Sequence, residues 1–217
     1  MRQSTRLALW LGFVGLLTAL NYDARAVSGK PDPNVLYRYS TAVGGVAQYA
    51  VMLAVVLAIA GGSHALLGLR RVESRGRAAW LAAGVIVGIL AFERILDPFL
   101  HPGREQGLTP TTWEPSHATQ YAANFVVIAV VGPVVEELTY RGLGYSLLAR
   151  FGRWTAIAAT GILFALSHGL VEALPVLAVF GWGLAWLRSR TGSVYPGMIV
   201  HGCFNGVALI VAVLTAR

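Results

Sequence analysis

The sequence predicts an all-α fold, a polytopic transmembrane helical bundle of about seven spans, and three observations predict it. Of the 217 residues, 56% are hydrophobic and only 12% are charged, about half the charged share of an average soluble domain. Mean hydropathy is +0.62. The apolar residues come in long runs, and about 20 in a row cross a bilayer as helix. Length and composition leave no room for a separate soluble module, so residues 1–217 are expected to form a single integral-membrane domain. The lone cysteine, Cys203, excludes an internal disulfide and a multi-cysteine metal site.

The first span, Leu7 to Leu20, follows Arg2 and Arg6. Its shortness and the later Ala24-Arg25-Ala26 resemble a signal peptide; a retained signal-anchor is the preferred reading. A polar loop, Asn21 to Thr41, is broken by Pro31 and Pro33. Span two runs from about Val43 to Leu69, with His64 near its exit. Span three, Ala78 to Leu96, carries Glu93 and Arg94 near its far end with Asp97 just beyond, an expected interfacial charge cluster. A proline-containing loop to Gln120 holds His101 and His117, which are expected to be solvated. Span four is Tyr121 to Leu148. Spans five, six and seven are Trp154 to His168, about Ala173 to Leu187, and Tyr195 to Leu214.

Basic residues orient the bundle. With the N-terminus inside, the inner segments collect Arg2, Arg6, Arg70, Arg71, Arg75, Arg77, Arg150, Arg153, Arg188 and Arg190. The outer segments hold half as many: Arg25, Lys30, Arg38, Arg104 and Arg217. That bias follows the positive-inside rule. It accounts for the net charge of +7 as an inner-leaflet feature, so no nucleic-acid partner is expected. A compact chain without organelle signals suggests a multi-pass protein of a prokaryotic plasma (inner) membrane, with the lipid bilayer as its surroundings.

The chain is organised around Pro133-Val-Val-Glu136-Glu137-Leu-Thr-Tyr140-Arg141-Gly142 in span four. An ionisable group at the bilayer centre costs roughly 2.5–3.5 kcal/mol on insertion scales. Glu136, Glu137 and Arg141 together therefore tax this helix by roughly 8–10 kcal/mol before any pairing. Glu137 and Arg141 stand four apart with the acid first, the favourable order for a self-neutralising pair. Glu136 is turned about 100° away and shares its face with Gly132 and Tyr140. It is the carboxylate left to face a cavity.

Two further pairs repeat the four-residue spacing. Phe164 and His168 share a face at the end of span five, and His201 and Asn205 share one inside span seven. Buried in lipid, an imidazole and a carboxamide need partners. Cys203, about 100° from both His201 and Asn205, is expected to serve packing.

Glu136-Glu137-x-x-x-Arg141, Phe164-x-x-x-His168 and His201-x-x-x-Asn205, in that order, resemble the three motifs of the CAAX-protease and bacteriocin-processing family of intramembrane glutamate proteases. The resemblance spans about 121–214, and no motif in the N-terminal half matches. It implies an endopeptidase with its active site between helices four, five and seven. Its substrate would be a membrane-anchored protein or peptide with a C-terminal anchor or CAAX-like end. The resemblance also implies roles. Glu136 would activate a water with help from His168, and His201 with Asn205 would donate to the oxyanion. Glu137 and Arg141 would hold the helix, with Tyr140 and Phe164 packed in support.

Two alternatives remain open. Glu136, His168 and His201 are a donor set zinc accepts, but there is no His-Glu-x-x-His helix and the donors come from three helices, so the expected site has no metal and no cofactor. A non-catalytic immunity, scaffold or transport protein would also bury acids. A proton relay would spread them over several depths, whereas here they concentrate in spans four, five and seven.

Overall fold

In a computed structural model, residues 1–28, 32, 34–96, 99–100, 105, 110 and 112–216 are described. Their architecture is all-helical. Seven helical bodies follow the expected order: α1 (Gln3–Ser28), α2 (Tyr39–Ala60), α3 (Arg75–Leu96), α4 (Pro115–Phe151), α5 (Arg153–Leu166), α6 (Leu174–Thr191) and α7 (Tyr195–Thr215). Five of them (α1, α2, α3, α4 and α7) contain stretches long and apolar enough to cross a membrane. The chain is an integral membrane protein.

The helix ends differ from the sequence reading in two places. α1 continues to Ser28, so Asn21, Tyr22 and Arg25 lie on helix, where a loop was expected. α2 stops at Ala60, nine residues before the expected Leu69. Gly61 adopts φ 59°, a left-handed cap whose N–H returns to Leu57 O, and glycine alone takes that conformation without steric cost. His64 consequently lies in an exposed turn beyond the helix.

Spans five and six form an antiparallel hairpin, α5–α6, closed by small residues. A Cβ on Gly181 would stand 2.8 Å from Gly161 Cα, so only glycines permit the backbones to come this close. At 1.5 Å per residue the 14 residues of α5 reach about 21 Å, short of the ~30 Å hydrocarbon core. The hairpin tip, residues 167–173, therefore needs its backbone groups satisfied by protein. Asn21 Nδ2 donates to Ser167 O (2.6 Å) and Tyr22 OH to Leu170 O (3.3 Å). Between α3 and α4 in sequence, the buried Glu105 accepts from Val171 N and Ala173 N, both at 2.8 Å, and pairs with Arg25 at 2.6 Å.

The core runs through α4, α5 and α6, with Trp10 of α1 driven into it. Trp10 is fully buried, lies against Gly144 and donates Nε1–H to Thr139 O at 2.9 Å. α4 is not a uniform α-helix. Val127–Val131 and Leu138–Gly144 are π-helical, flanking an α-helical Gly132–Glu137. π-turns are rare and frequently mark functional sites; here they bracket the two carboxylates.

Several expected features lie at the margins. Cys203 is exposed on the outer face of α7 instead of packed, because that helix turns Val200 and His201 inward. His117 keeps a partly exposed side chain, and its Nδ1 also stands 3.0 Å from Glu114 Oε2 and its ring 5.9 Å from that of Tyr37. Glu93 and Arg94 sit in the last turns of α3. Asp97 and His101 lie outside the described residues.

Candidate active site

The fold brings the three motif pairs together. Glu136 is only 13% exposed, and its Oε2 stands 3.9 Å from His168 Nε2 and 3.8 Å from His201 Nε2. Those separations exceed a direct hydrogen bond and have the scale of a polar contact that a water can bridge. The other oxygen, Oε1, accepts from Tyr49 OH of α2 at 2.8 Å. A cavity of about 160 Å³ opens beside the carboxylate, lined by Asn21, Gln48, Tyr49, Tyr140, Ser167 and His168 among others.

Neighbours assign the imidazole tautomers. His168 Nδ1 lies 2.7 Å from Phe164 O. A carbonyl only accepts, so Nδ1 carries the hydrogen and Nε2 is left with its lone pair toward Glu136. His201 Nδ1 faces Glu137 Oε1 at 3.3 Å, and there too the hydrogen belongs on Nδ1 in the neutral ring. The helix ends at Leu166, and Gly169, at φ 67°, closes the turn that carries His168, a conformation glycine takes at little steric cost.

Glu137 faces the opposite way, into a sealed pocket. Arg141 Nη1 donates to its Oε1 at 2.9 Å, and both side chains have no exposed area. Arg141 Nη2 donates to Gly181 O at 3.0 Å, tying α4 to the α5–α6 hairpin. The guanidinium also lies 4.3 Å from the Phe164 ring centre, in cation–π geometry. Among the described residues, Glu137 Oε2 has no hydrogen-bond partner. It abuts α7 where a Cβ on Gly197 would come within 2.6 Å, so that residue must be glycine for the carboxylate to fit.

Phe164 packs beside the imidazoles, and Tyr140 beside Phe164. The Phe164 ring meets those of His168 (4.6 Å), Tyr140 (5.4 Å) and His201 (5.7 Å), so one aromatic ring spaces both imidazoles. Tyr140 OH donates to Ser167 Oγ at 2.5 Å, and Ser167 Oγ donates to Phe164 O at 2.8 Å.

Asn205 has a partner that its spacing did not reveal. Within the first π-turn the Gly132 N–H bonds to Val127 O. Ile128 O would next receive residue 133, but Pro133 has no N–H. Asn205 Nδ2 fills the gap, donating to Ile128 O at 3.0 Å. A carboxamide nitrogen has two hydrogens, so one remains.

The sequence reading missed Tyr49, Ser167, Asn21 and Glu105. Tyr49 carried a faint signal: it and Gln48 are neighbouring polar side chains in an otherwise apolar span. Asn21 and Glu105 act through backbone groups far along the chain, and Ser167 through the Tyr140 hydroxyl 27 residues away, which no local spacing encodes.

The fold thus sets a shielded carboxylate between two imidazoles, with the carboxylate and His168 on the wall of one cavity and His201 on the far side of Glu136 Oε2. The family model described as type II CAAX prenyl endopeptidase, Rce1-like, matches residues 118–207, which contain all three motifs. The family resemblance carried by those motifs is thus met by an independent match, and it supports an intramembrane endopeptidase. No curated protein and no solved structure matches the chain.

Proposed function

We propose that this protein hydrolyses a peptide bond in a membrane-anchored protein or peptide, with Glu136 activating the attacking water and no metal or other cofactor taking part. The observation that carries the reading is the approach of Glu136 Oε2 to His168 Nε2 and His201 Nε2 on a cavity wall. A water taken up there gives one hydrogen to Glu136 Oε2 and the other to His168 Nε2. Its oxygen is left to attack the substrate carbonyl carbon, while a proton passes to Glu136. The carbonyl π pair moves to oxygen, where His201 and the second hydrogen of Asn205 Nδ2 donate. Collapse of the tetrahedral intermediate expels the amine, which recovers the proton. For His201 to donate from Nε2 as well as Nδ1, its ring carries both hydrogens, and Glu136 and Glu137 flank it as balancing charges.

A substrate with a hydrophobic C-terminal anchor or CAAX-like end suits a cavity among helices this apolar. We place the protein in a prokaryotic inner membrane with the N-terminus inside, on the distribution of its arginines, and take residues 1–217 as one domain.

One observation favours a second reading. With both rings neutral, each turns an Nε2 lone pair toward Glu136 Oε2, the protonation that zinc requires of its ligands. The separations of 3.8 and 3.9 Å are nevertheless wider than the roughly 3.3 Å between ligand atoms around a tetrahedral zinc. The deciding experiment is cleavage of a membrane-anchored reporter peptide by the full-length protein in bilayers, for wild type and Glu136→Ala, each with and without a strong chelator. Loss only in Glu136→Ala, with wild type indifferent to chelator, supports the glutamate mechanism. Loss in wild type on chelation, restored by zinc, selects the second reading. Cleavage that survives Glu136→Ala removes Glu136 as the base.

A further inference from the structure

We infer that Tyr49, in the half of the chain that carries no family motif, is a positioning residue for Glu136: its phenol pins one carboxylate oxygen so that the other faces the two imidazoles. The inference rests on the hydrolytic reading of the site and adds to it a residue from outside the matched stretch 118–207.

The argument begins with the freedom of the Glu136 side chain. A glutamate has three side-chain torsions, and its terminal one is broad and roughly two-fold, so on an apolar helix face nothing intrinsic selects an orientation. Tyr49 OH supplies the selection, donating to Oε1 at 2.8 Å. With Oε1 engaged, Oε2 is the oxygen left between His168 and His201. A hydrogen bond to an ionised acceptor is short and roughly twice as strong as a neutral one. The phenol is also a cavity wall, so it screens one side of the carboxylate while leaving the other open.

The backbone of α4 is shaped to admit the phenol. Gly132 lies one turn before Glu136, and a Cβ there would fall 2.7 Å from Tyr49 OH and 2.9 Å from its Cζ. Real Cβ atoms do not approach that closely, so any other residue at 132 displaces the phenol. Gly132 is the first residue of the short α-helical stretch between the two π-turns. The stretch that presents Glu136 therefore also carries the clearance for the residue that orients it. On α2, Gly45, one turn before Tyr49, packs against Val127 of α4: a Cβ at 45 would stand 2.8 Å from Val127 Cγ1. Glycines on both helices thus bring α2 and α4 close enough for a tyrosine to span the gap.

The test uses the full-length protein in bilayers with the membrane-anchored reporter peptide. Tyr49→Phe keeps the ring and removes the hydroxyl; Gly132→Ala keeps the hydroxyl and moves it. Each is expected to lower kcat by about 10–100-fold, the rate equivalent of losing a hydrogen bond to a charged group, with KM changed less than about two-fold. Adding Tyr49→Phe to Glu136→Gln should cost nothing further. Wild-type kcat in Tyr49→Phe, while Glu136→Gln is inactive, overturns the role of Tyr49 and leaves the hydrolytic reading standing. So does a loss of equal size in both backgrounds. A readout without turnover separates the two claims: infrared spectra of protein labelled with ¹³C at the glutamate side-chain carboxyl, with the Glu136 band identified by its loss in Glu136→Gln. Tyr49→Phe and Gly132→Ala are both expected to shift that band. An unshifted band overturns the contact, and a shifted band in a protein that cleaves no reporter keeps the contact while the hydrolytic reading fails.

Discussion

Two adjacent carboxylates on one helix meet opposite surroundings. Glu137 is sealed, paired with a buried arginine and pressed against Gly197. Glu136 borders a cavity, accepts from a phenol hydroxyl and looks toward two imidazoles. The difference teaches how a membrane helix carries reactive charge. One acid is committed with Arg141 to joining helices, and that pair leaves the neighbouring acid to face the cavity and the two imidazoles. A single rotation of about 100° per residue separates the structural task from the chemical one.

The largest effect that would break this contrast is on the cavity side. Glu136→Gln keeps size and shape but cannot take a proton. It should lower turnover of a membrane-anchored peptide by about 100–10,000-fold while the thermal unfolding profile stays close to wild type. Glu137→Ala should reverse the pattern. It leaves Arg141 buried and unpaired, and breaking such a pair costs about 3–5 kcal/mol, measurable as lost stability in detergent or bilayer unfolding. If Glu137→Ala were fully stable and Glu136→Gln fully active, the division between the two acids would be wrong.

Asn205 sharpens the comparison because it serves both sides. Asn205→Ala should lower kcat by about 100–1000-fold if its free hydrogen reaches an oxyanion. It should also lower stability by about 1–3 kcal/mol by orphaning Ile128 O. A stability loss with unchanged kcat would confine Asn205 to repairing the π-turn. The smallest effect belongs to Tyr140→Phe, which removes the bond to Ser167. It should cost about 0.5–1.5 kcal/mol and change turnover little, as measured by unfolding and by the same cleavage assay.

Much of this was legible in the chain. Hydropathy placed seven helices in the right order, and the four-residue spacings of Glu137 with Arg141, Phe164 with His168 and His201 with Asn205 each put two side chains on one face. Glu136 lies on a cavity wall and Glu137 in a sealed pocket, the two faces that their spacing separates within two helical turns. The end of α2 was misjudged because Gly61-Gly62 stands in an apolar run, and hydropathy does not register a left-handed cap. The π-turns were invisible for a similar reason: apolar residues such as Val127–Val131 fit either helix, and the choice between them is made by what packs alongside.

By itself, then, the sequence determined the helices, their apolar character and the polar residues that had to find partners, since these follow from composition and from a period of 3.6 residues. Tertiary structure alone decided who the partners are. Tyr49 reaches Glu136 across 87 residues, Asn205 reaches Ile128 across 77, and Glu105 reaches Val171 across 66. Where water is scarce, each stranded carbonyl, N–H or carboxylate must be met by another part of the protein. Which part depends on where glycines such as Gly132 and Gly197 let the helices come together.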